Sequence, residues 1–299
     1  MFSGGIDITE GGVRVTQLLK GRVAIVTGAS RGIGAAIALR FAAEGAKVAM
    51  VARTVAEGSR RLPGSLNEVA SRIRAMGGEC LCIGANLAKE EQRGNIVPEA
   101  IARFGGVDIL VNNAAWCRYQ ACHDHSLKDV RQTLEVNMVA PLDLSRQALP
   151  SMKERGAGWI VNLSSATVRH PAPAPYDFTE RYTRFNLADG PSIYAASKAA
   201  LERMTLGMAI ELAPFNIAIN TLAPVEAVAS EGANALGVID AVAHLEPVEA
   251  MAEAALALSS RPANVLSGRV AFSLDLLREL GMRTVMTLDG ERTLPAYSF

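Results

Sequence analysis

The chain has 299 residues, 49% of them hydrophobic, and its thirty Lys and Arg balance thirty Asp and Glu. That length buries a large core, and a chain with no net charge has no overall field to gather nucleic acid or anionic lipid, so neither partner is expected. No run reaches bilayer-spanning length, and the first ten residues lack a basic segment followed by an apolar core, so a soluble, cytoplasmic protein is expected.

Short apolar runs alternate with longer amphipathic stretches, the rhythm of βαβ units. Strands are expected at residues 22–27, 47–51, 80–83, 108–111, 159–163, 217–222 and 269–272. Helices are expected at 32–44, 65–76, 90–104, 127–153, 192–212 and 247–258. Strands separated by helices predict a doubly wound, Rossmann-type α/β fold: a parallel seven-stranded sheet inside a three-layer α/β/α sandwich. One nucleotide-binding domain over 1–299 is expected, with an N-terminal extension at 1–19, an insertion at about 169–190 and a C-terminal extension at about 274–299 that opens on a short helix.

The first strand runs into Gly28-Ala-Ser-Arg-Gly32-Ile-Gly34 and then an alanine-rich helix. The turn asks unusual backbone angles of Gly28, while Gly32 and Gly34 permit close approach of a ligand and of the helix to the sheet. The helix N-terminus then presents free N–H groups and a positive dipole end to a pyrophosphate. The second strand ends at Ala52-Arg53, where an NAD-preferring fold places Asp or Glu. A guanidinium pairs with a 2′-phosphate, and Arg31 adds a second positive charge, so NADP(H) is expected over NAD(H); stacking of Arg53 on adenine is the other reading.

Four cysteines are too few for a disulfide framework and are expected to be free thiols. Residues 117–125 crowd Cys117, Cys122, His123 and His125 together, but adjacent Cys122 and His123 point apart and the spacing matches no common zinc pattern. A loop beside a pocket is expected there, and no metal. Pro141 cannot donate the N–H that would bond the carbonyl of Asn137, which leaves either a water-holding carbonyl or a simple kink. Of the neighbours Ser164 and Ser165, only one can face a substrate, because adjacent strand residues point to opposite sides. Residues 169–190 combine three prolines with Tyr176, Phe178, Tyr182 and Phe185, which favours an ordered lid whose aromatics either wall an apolar substrate or anchor the loop. Finally, Tyr194 and Lys198 stand four apart on one helix, a spacing that sets an ammonium beside a phenol and predicts a pKa below the usual 10 or so.

With Thr27-Gly-Ala-Ser-Arg-Gly-Ile-Gly34, Asn112-Asn-Ala-Ala115, Asn137, Asn162-Leu-Ser-Ser165 and Tyr194-Ala-Ala-Ser-Lys198 in order, the chain resembles the short-chain dehydrogenase/reductase family over roughly residues 20–273. The stretch 53–64 is similar to members related to hydroxysteroid dehydrogenase-like protein 2. The resemblance implies that Tyr194 is the general acid or base, that Lys198 lowers its pKa and binds the nicotinamide ribose, that Ser165 bonds the substrate oxygen, and that Asn137 supports a water-linked proton relay. It implies cofactor contacts from Gly28, Ser30, Arg31, Gly32, Ile33 and Gly34 in the glycine loop, and from Arg53, Asn86, Asn113 and Ala114 at strand ends. It further implies an NADP(H)-dependent oxidoreductase interconverting a secondary alcohol and a carbonyl, acting on a small, apolar molecule as a homotetramer or homodimer through the helices at 127–153 and 192–212. A catalytically silent nucleotide-binding relative is the alternative. The chain departs from the family at Asn86, which replaces an Asp, at Pro224-Val-Glu, which lacks the usual Gly and later Thr, and at Ser273-Leu-Asp-Leu, which replaces Asp-Gly-Gly.

Overall fold

Strand β1 (Val23–Thr27) is buried at every position, as a strand covered on both faces must be. The computed structural model describes residues 8–9, 12–13, 17–58, 63–228 and 245–295. Parts of the expected terminal extensions, of the 53–64 stretch and of the segment after Pro224 lie outside the described residues. Ile8–Thr9 pairs with Gly12–Val13 ahead of the main fold.

From β1 the chain continues through α1 (Gly32–Ala43), β2 (Lys47–Ala52), α2 (Leu66–Ala75), β3 (Cys80–Gly84), α3 (Ile96–Phe104) and β4 (Ile109–Asn112). Next come α4 (Leu127–Leu134), α5 (Ala140–Glu154), β5 (Gly158–Leu163), α6 (Arg181–Asp189), α7 (Ser192–Leu212) and β6 (Ile217–Ala223). Then follow α8 (Val248–Ser260), β7 (Val270–Phe272), α9 (Ser273–Glu279) and a hairpin of β8 (Thr284–Met286) with β9 (Thr293–Pro295). The main sheet is parallel throughout, in the order β3-β2-β1-β4-β5-β6-β7. Its order reverses between β1 and β4, and in such sheets the crevice beyond the strand ends at that point takes the ligand.

Strand alternation divides the core between two helix layers. Ala24 and Val26 join α1, α2, α8 and α9, whereas Ile25 joins α3, α5 and α7. β4 repeats the pattern, with Ile109 and Val111 on one side and Leu110 on the other. Leu144 and Met152 of α5 are fully shielded, and each such burial is worth roughly 1.5–3 kcal/mol.

Three expectations need correction. The helix at 90–104 is a single turn, Glu90–Arg93, followed by α3, because a continuous helix would put Pro98 in its interior rather than in a first turn, where no N–H bond is missed. The helix at 127–153 is interrupted by a π turn, Glu135–Val139, in which the Ala140 N–H bonds the Glu135 carbonyl five residues back. Pro141 denies Asn137 the ordinary bond, and the ladder shifts register instead of leaving a simple kink. The insertion at 169–190 is not all loop: the Glu180 carboxylate accepts from the N–H groups of Tyr182 (2.8 Å) and Thr183 (2.6 Å) and starts α6, which Gly190 ends with φ +61. Among the described residues no helix is long and apolar enough to cross a membrane.

Candidate active site

At the switch point the glycine loop lies against the end of β4. Gly28 (φ +68) and Gly32 (φ +53) have backbones that L side chains rarely adopt. A Cβ on Gly28 would stand 2.7 Å from Asn113 Nδ2, and one on Gly34 would overlap the Gly28 carbonyl oxygen. Asn113 bolts the loop in place: its Nδ2 donates to the Thr27 carbonyl (2.8 Å), while Thr27 Oγ1 accepts from the N–H groups of Asn113 (3.0 Å) and Ala114 (3.1 Å). The turn leading into α1, at Gly28, Ser30 and Arg31, therefore edges a cleft, and a pyrophosphate there would lie near the helix N-terminus.

Of the expected cofactor residues, Gly28, Ser30, Arg31, Arg53, Asn86 and Ala114 line this cleft, and so does Asn113, whose amide is already engaged. Gly32, Ile33 and Gly34 do not line it; Ile33 packs against the core, since it is held on the sheet side of α1. The Arg31 guanidinium donates to the carbonyls of Pro63 (2.7 Å) and Gly64 (3.0 Å), bracing the turn at the cleft mouth. Arg53 is exposed at the rim. Asn86 Oδ1 accepts from the Ala88 N–H (3.1 Å), so its oxygen shapes the loop after β3.

Past this cleft a polar ladder crosses the carboxyl edge of the sheet. Asn112 Nδ2 donates to Asn162 Oδ1 (2.8 Å), and Asn162 Nδ2 donates to Thr205 Oγ1 (2.9 Å), tying β4 and β5 to α7. Asn137 grips Trp116 from both ends of its amide: Oδ1 accepts from the Trp116 N–H (2.8 Å) and Nδ2 donates to its carbonyl (2.9 Å). Its Nδ2 also donates to Ser197 Oγ (3.0 Å), which in turn donates to the Tyr194 carbonyl (2.6 Å). The Asn137 side chain thus fastens the loop after β4 to the first turn of α7.

Three consecutive residues at the end of β5 meet three residues of α7. The Leu163 carbonyl accepts from Lys198 Nζ (2.6 Å), Ser164 Oγ donates to Glu202 Oε1 (2.6 Å), and the Ser165 hydroxyl, which accepts from Thr167 Oγ1 (3.0 Å), is near enough to the Tyr194 phenol to favour its ionised form. Both serines lie beyond the last residue of β5 and both meet α7, so the alternation expected to separate them does not act here; Ser164 is taken up by Glu202, and Ser165 reaches Tyr194.

Electrostatics overturn one expectation. Burial pushes the Tyr194 phenol well above the usual range, only partly opposed by the Ser165 hydroxyl. The helical spacing does set the Lys198 ammonium beside the ring, 5.8 Å from its centroid, but the ammonium is bonded to the Leu163 carbonyl and does not offset the burial of the phenol. Lys198, 2% exposed, is itself brought down to about 8 by burial. Burial likewise pushes the Cys117 thiol up to about 12, so it is neutral at pH 7. Tyr194 is therefore protonated at neutral pH, and Lys198 remains mostly cationic.

The insertion closes over this group. The Tyr119 ring meets Tyr194 edge-on at 5.9 Å and Phe185 at 5.7 Å, and Phe185 stacks on Tyr182 at 6.2 Å. The Tyr182 hydroxyl lies 2.9 Å from the Thr167 carbonyl and 2.7 Å from that of Arg169. The Gln120 N–H donates to the Gly190 carbonyl (3.3 Å), and a Cβ on Gly190 would overlap the Gln120 backbone. Tyr176 and Phe178 instead pair with each other, 56% and 60% exposed, so the four aromatics divide into an inner and an outer pair. Among the described residues no three His, Cys, Asp or Glu side chains are grouped to hold a metal ion, and the four cysteines are free.

The family model for short chain dehydrogenases matches residues 22–176. The chain belongs to the short-chain dehydrogenase/reductase family. It is 31% identical over 268 residues to hydroxysteroid dehydrogenase-like protein 2 of Bos taurus, aligned over 90% of this chain but spanning only 60% of that relative's length. Among solved structures, a short chain dehydrogenase from Mycobacterium thermoresistibile superimposes with a TM-score of 0.74 at 31% identity, over 88% of each chain. Another, from Burkholderia cenocepacia J2315 in complex with NADP, gives a TM-score of 0.70 at 31% identity, covering 85% of this chain and 96% of the other.

In this short-chain dehydrogenase/reductase, sequence reasoning missed Tyr119, Ser197 and Glu202. Glu202 is one further four-residue step along the helix from Lys198, a signal that the spacing argument already contained. Tyr119 sits inside the 117–125 stretch read only as a loop near a pocket. After β6, where the family's usual residues are replaced, the Val225 N–H donates to Glu246 (3.0 Å), a carboxyl that burial pushes up to about 7.

Proposed function

We propose that this protein is an NADP(H)-dependent oxidoreductase that interconverts a secondary alcohol and a ketone or other carbonyl. The observation that carries this reading is the cluster of Ser165, Tyr194 and Lys198, with the Lys198 ammonium 5.8 Å from the Tyr194 ring centroid and the Ser165 hydroxyl beside the phenol, in a chain that also has a glycine-loop cleft. A bound nicotinamide supplies or accepts the hydride. Ser165 and Tyr194 hold the substrate oxygen between two hydroxyl donors. As negative charge develops on that oxygen, Tyr194 gives up its proton, and the Lys198 ammonium stabilises the phenolate left behind. In the oxidative direction the same groups act in reverse. Asn137 positions the site by holding Trp116 and Ser197, and the relay expected of it would run along the π turn it occupies.

The exposed Arg53 at the cleft rim, with no acidic residue lining the cleft among the described residues, supports a 2′-phosphorylated cofactor, as does the NADP-bound Burkholderia relative. Tyr119 and Phe185 above Tyr194 support an apolar substrate. A cofactor-coupled absorbance screen of ketones, hydroxysteroids, hydroxyacyl thioesters and secondary alcohols tests this. Turnover favouring NADP(H) is expected, and Arg53→Ala should raise the KM for NADP(H) about tenfold, the loss of about one charge-assisted hydrogen bond, while leaving that for NAD(H) unchanged. A strong preference for NAD(H) would refute the cofactor assignment, and tight cofactor binding with no turnover would establish a catalytically silent relative.

Assembly as a dimer or tetramer through the α4–α5 unit and α7 is supported by Leu127 and Ile210, 69% and 79% exposed on those helices. Light scattering is expected to return two or four chain masses; a monomer rejects this.

A further inference from the structure

Tyr194, Lys198 and Glu202 follow one another at four-residue steps on α7 and so share a face. The end of β5 meets all three in turn, through the Ser165 hydroxyl, the Leu163 carbonyl and the Ser164 hydroxyl. Ser164 is 7% exposed, and its 2.6 Å bond to Glu202 Oε1 fixes a half-buried carboxylate whose ordinary place would be in water.

Lys198 is among the largest fully buried side chains, and among the described residues its ammonium has one hydrogen bond, to the Leu163 carbonyl. A buried ammonium with only a dipole for company tends to lose its proton. The titratable groups facing it are Tyr194 and Glu202 on its own helix, with Cys117 and Tyr119 from the loop after β4; the end of β5 contributes only a carbonyl and hydroxyls. Burial keeps the phenols and the thiol neutral at pH 7. Burial raises the Glu202 carboxyl above the usual range, opposed by the bond from Ser164 and then by the charge of Lys198, and in its ionised form it is the group that sets a negative charge against the lysine.

We propose that Glu202, tethered by Ser164, is a positioning residue that keeps Lys198 cationic and in place beside Tyr194. The assignment rests on the reading of Tyr194 and Lys198 as proton-transfer partners, but the lysine's titration can be read without turnover. Removing the carboxylate lowers the midpoint of Lys198, so its charge is lost at a lower pH.

The decisive measurement is an NMR titration of the ¹⁵Nζ resonance of Lys198, assigned by its disappearance in Lys198→Met. Glu202→Gln keeps the size of the side chain and an acceptor for Ser164 but removes the charge. The expected result is a midpoint lower by roughly one pH unit than in the wild type, with the alkaline limb of the kcat profile shifting by the same amount. Glu202→Asp should restore most of the shift, and Ser164→Ala should give a smaller drop in the same direction, because an untethered carboxylate spends less time near the ammonium. Unchanged midpoints in Glu202→Gln and Ser164→Ala, or a drop in Glu202→Asp equal to that in Glu202→Gln, would overturn the proposal. If the wild type turns over no substrate, the functional reading fails, yet the NMR midpoints still decide the role of Glu202.

Discussion

Tyr194→Phe is expected to lower kcat for carbonyl reduction by about 10³-fold or more, within the range of general-acid contributions, while leaving the dissociation constant for the cofactor nearly unchanged. The substitution removes one hydroxyl and retains the ring that packs against Tyr119 at 5.9 Å. Tyr119 carries another phenol close by, but burial, with Cys117 and Tyr194 as neighbours, keeps that phenol protonated as well. The alkoxide would have to wait for water. Steady-state kinetics and cofactor fluorescence titration check this; a variant keeping more than a tenth of wild-type kcat would show that the proton comes from elsewhere.

The largest stability effect is expected from Arg40→Leu, far from the chemistry but on the helix that opens onto the cofactor cleft. Arg40 is 2% exposed and bridges two buried carboxylates, reaching Glu44 Oε1 at 2.6 Å and Glu253 Oε2 at 3.0 Å. Glu44 also accepts from the Leu18 N–H (3.0 Å), so one cation joins α1, α8 and the segment leading into β1. Removing it takes a buried cation away from two buried carboxylates, at a cost of roughly 3–5 kcal/mol. The thermal midpoint should fall on the order of 10 °C, and adding Glu253→Leu should recover part of the loss, since an apolar replacement of a whole buried network is often tolerated. Equal midpoints for wild type and Arg40→Leu by calorimetry would mean that water already reaches this cluster.

Much of the candidate site was legible because its signals are local. The glycine loop needs positive φ at Gly28 and Gly32, within one strand-to-helix turn. Tyr194 and Lys198 share a helix, and the strands announced themselves as short apolar runs because both faces of the sheet are covered. The interruption at Pro141 was visible for the same reason, since proline lacks a donor, but whether the ladder kinks or widens depends on what packs against it. Asn137 shows the difference: its amide is drawn into the grip on Trp116 and Ser197, and that turn is a π turn.

The sequence by itself determined the doubly wound fold and the place of the glycine loop, since both follow from periodicity or from the stereochemistry of a few adjacent residues, while Tyr194, Lys198 and Ser165 were named by the family resemblance. Tertiary structure alone decided the direction of the Tyr194 pKa shift, the inner and outer aromatic pairs, and the pairing of Ser164 with Glu202. These depend on desolvation and on contacts between segments far apart in the chain. Spacing along a helix places a phenol near an ammonium, but only the packing of Tyr119, Cys117 and the end of β5 around them sets how much water remains, and therefore which protonation state is favoured.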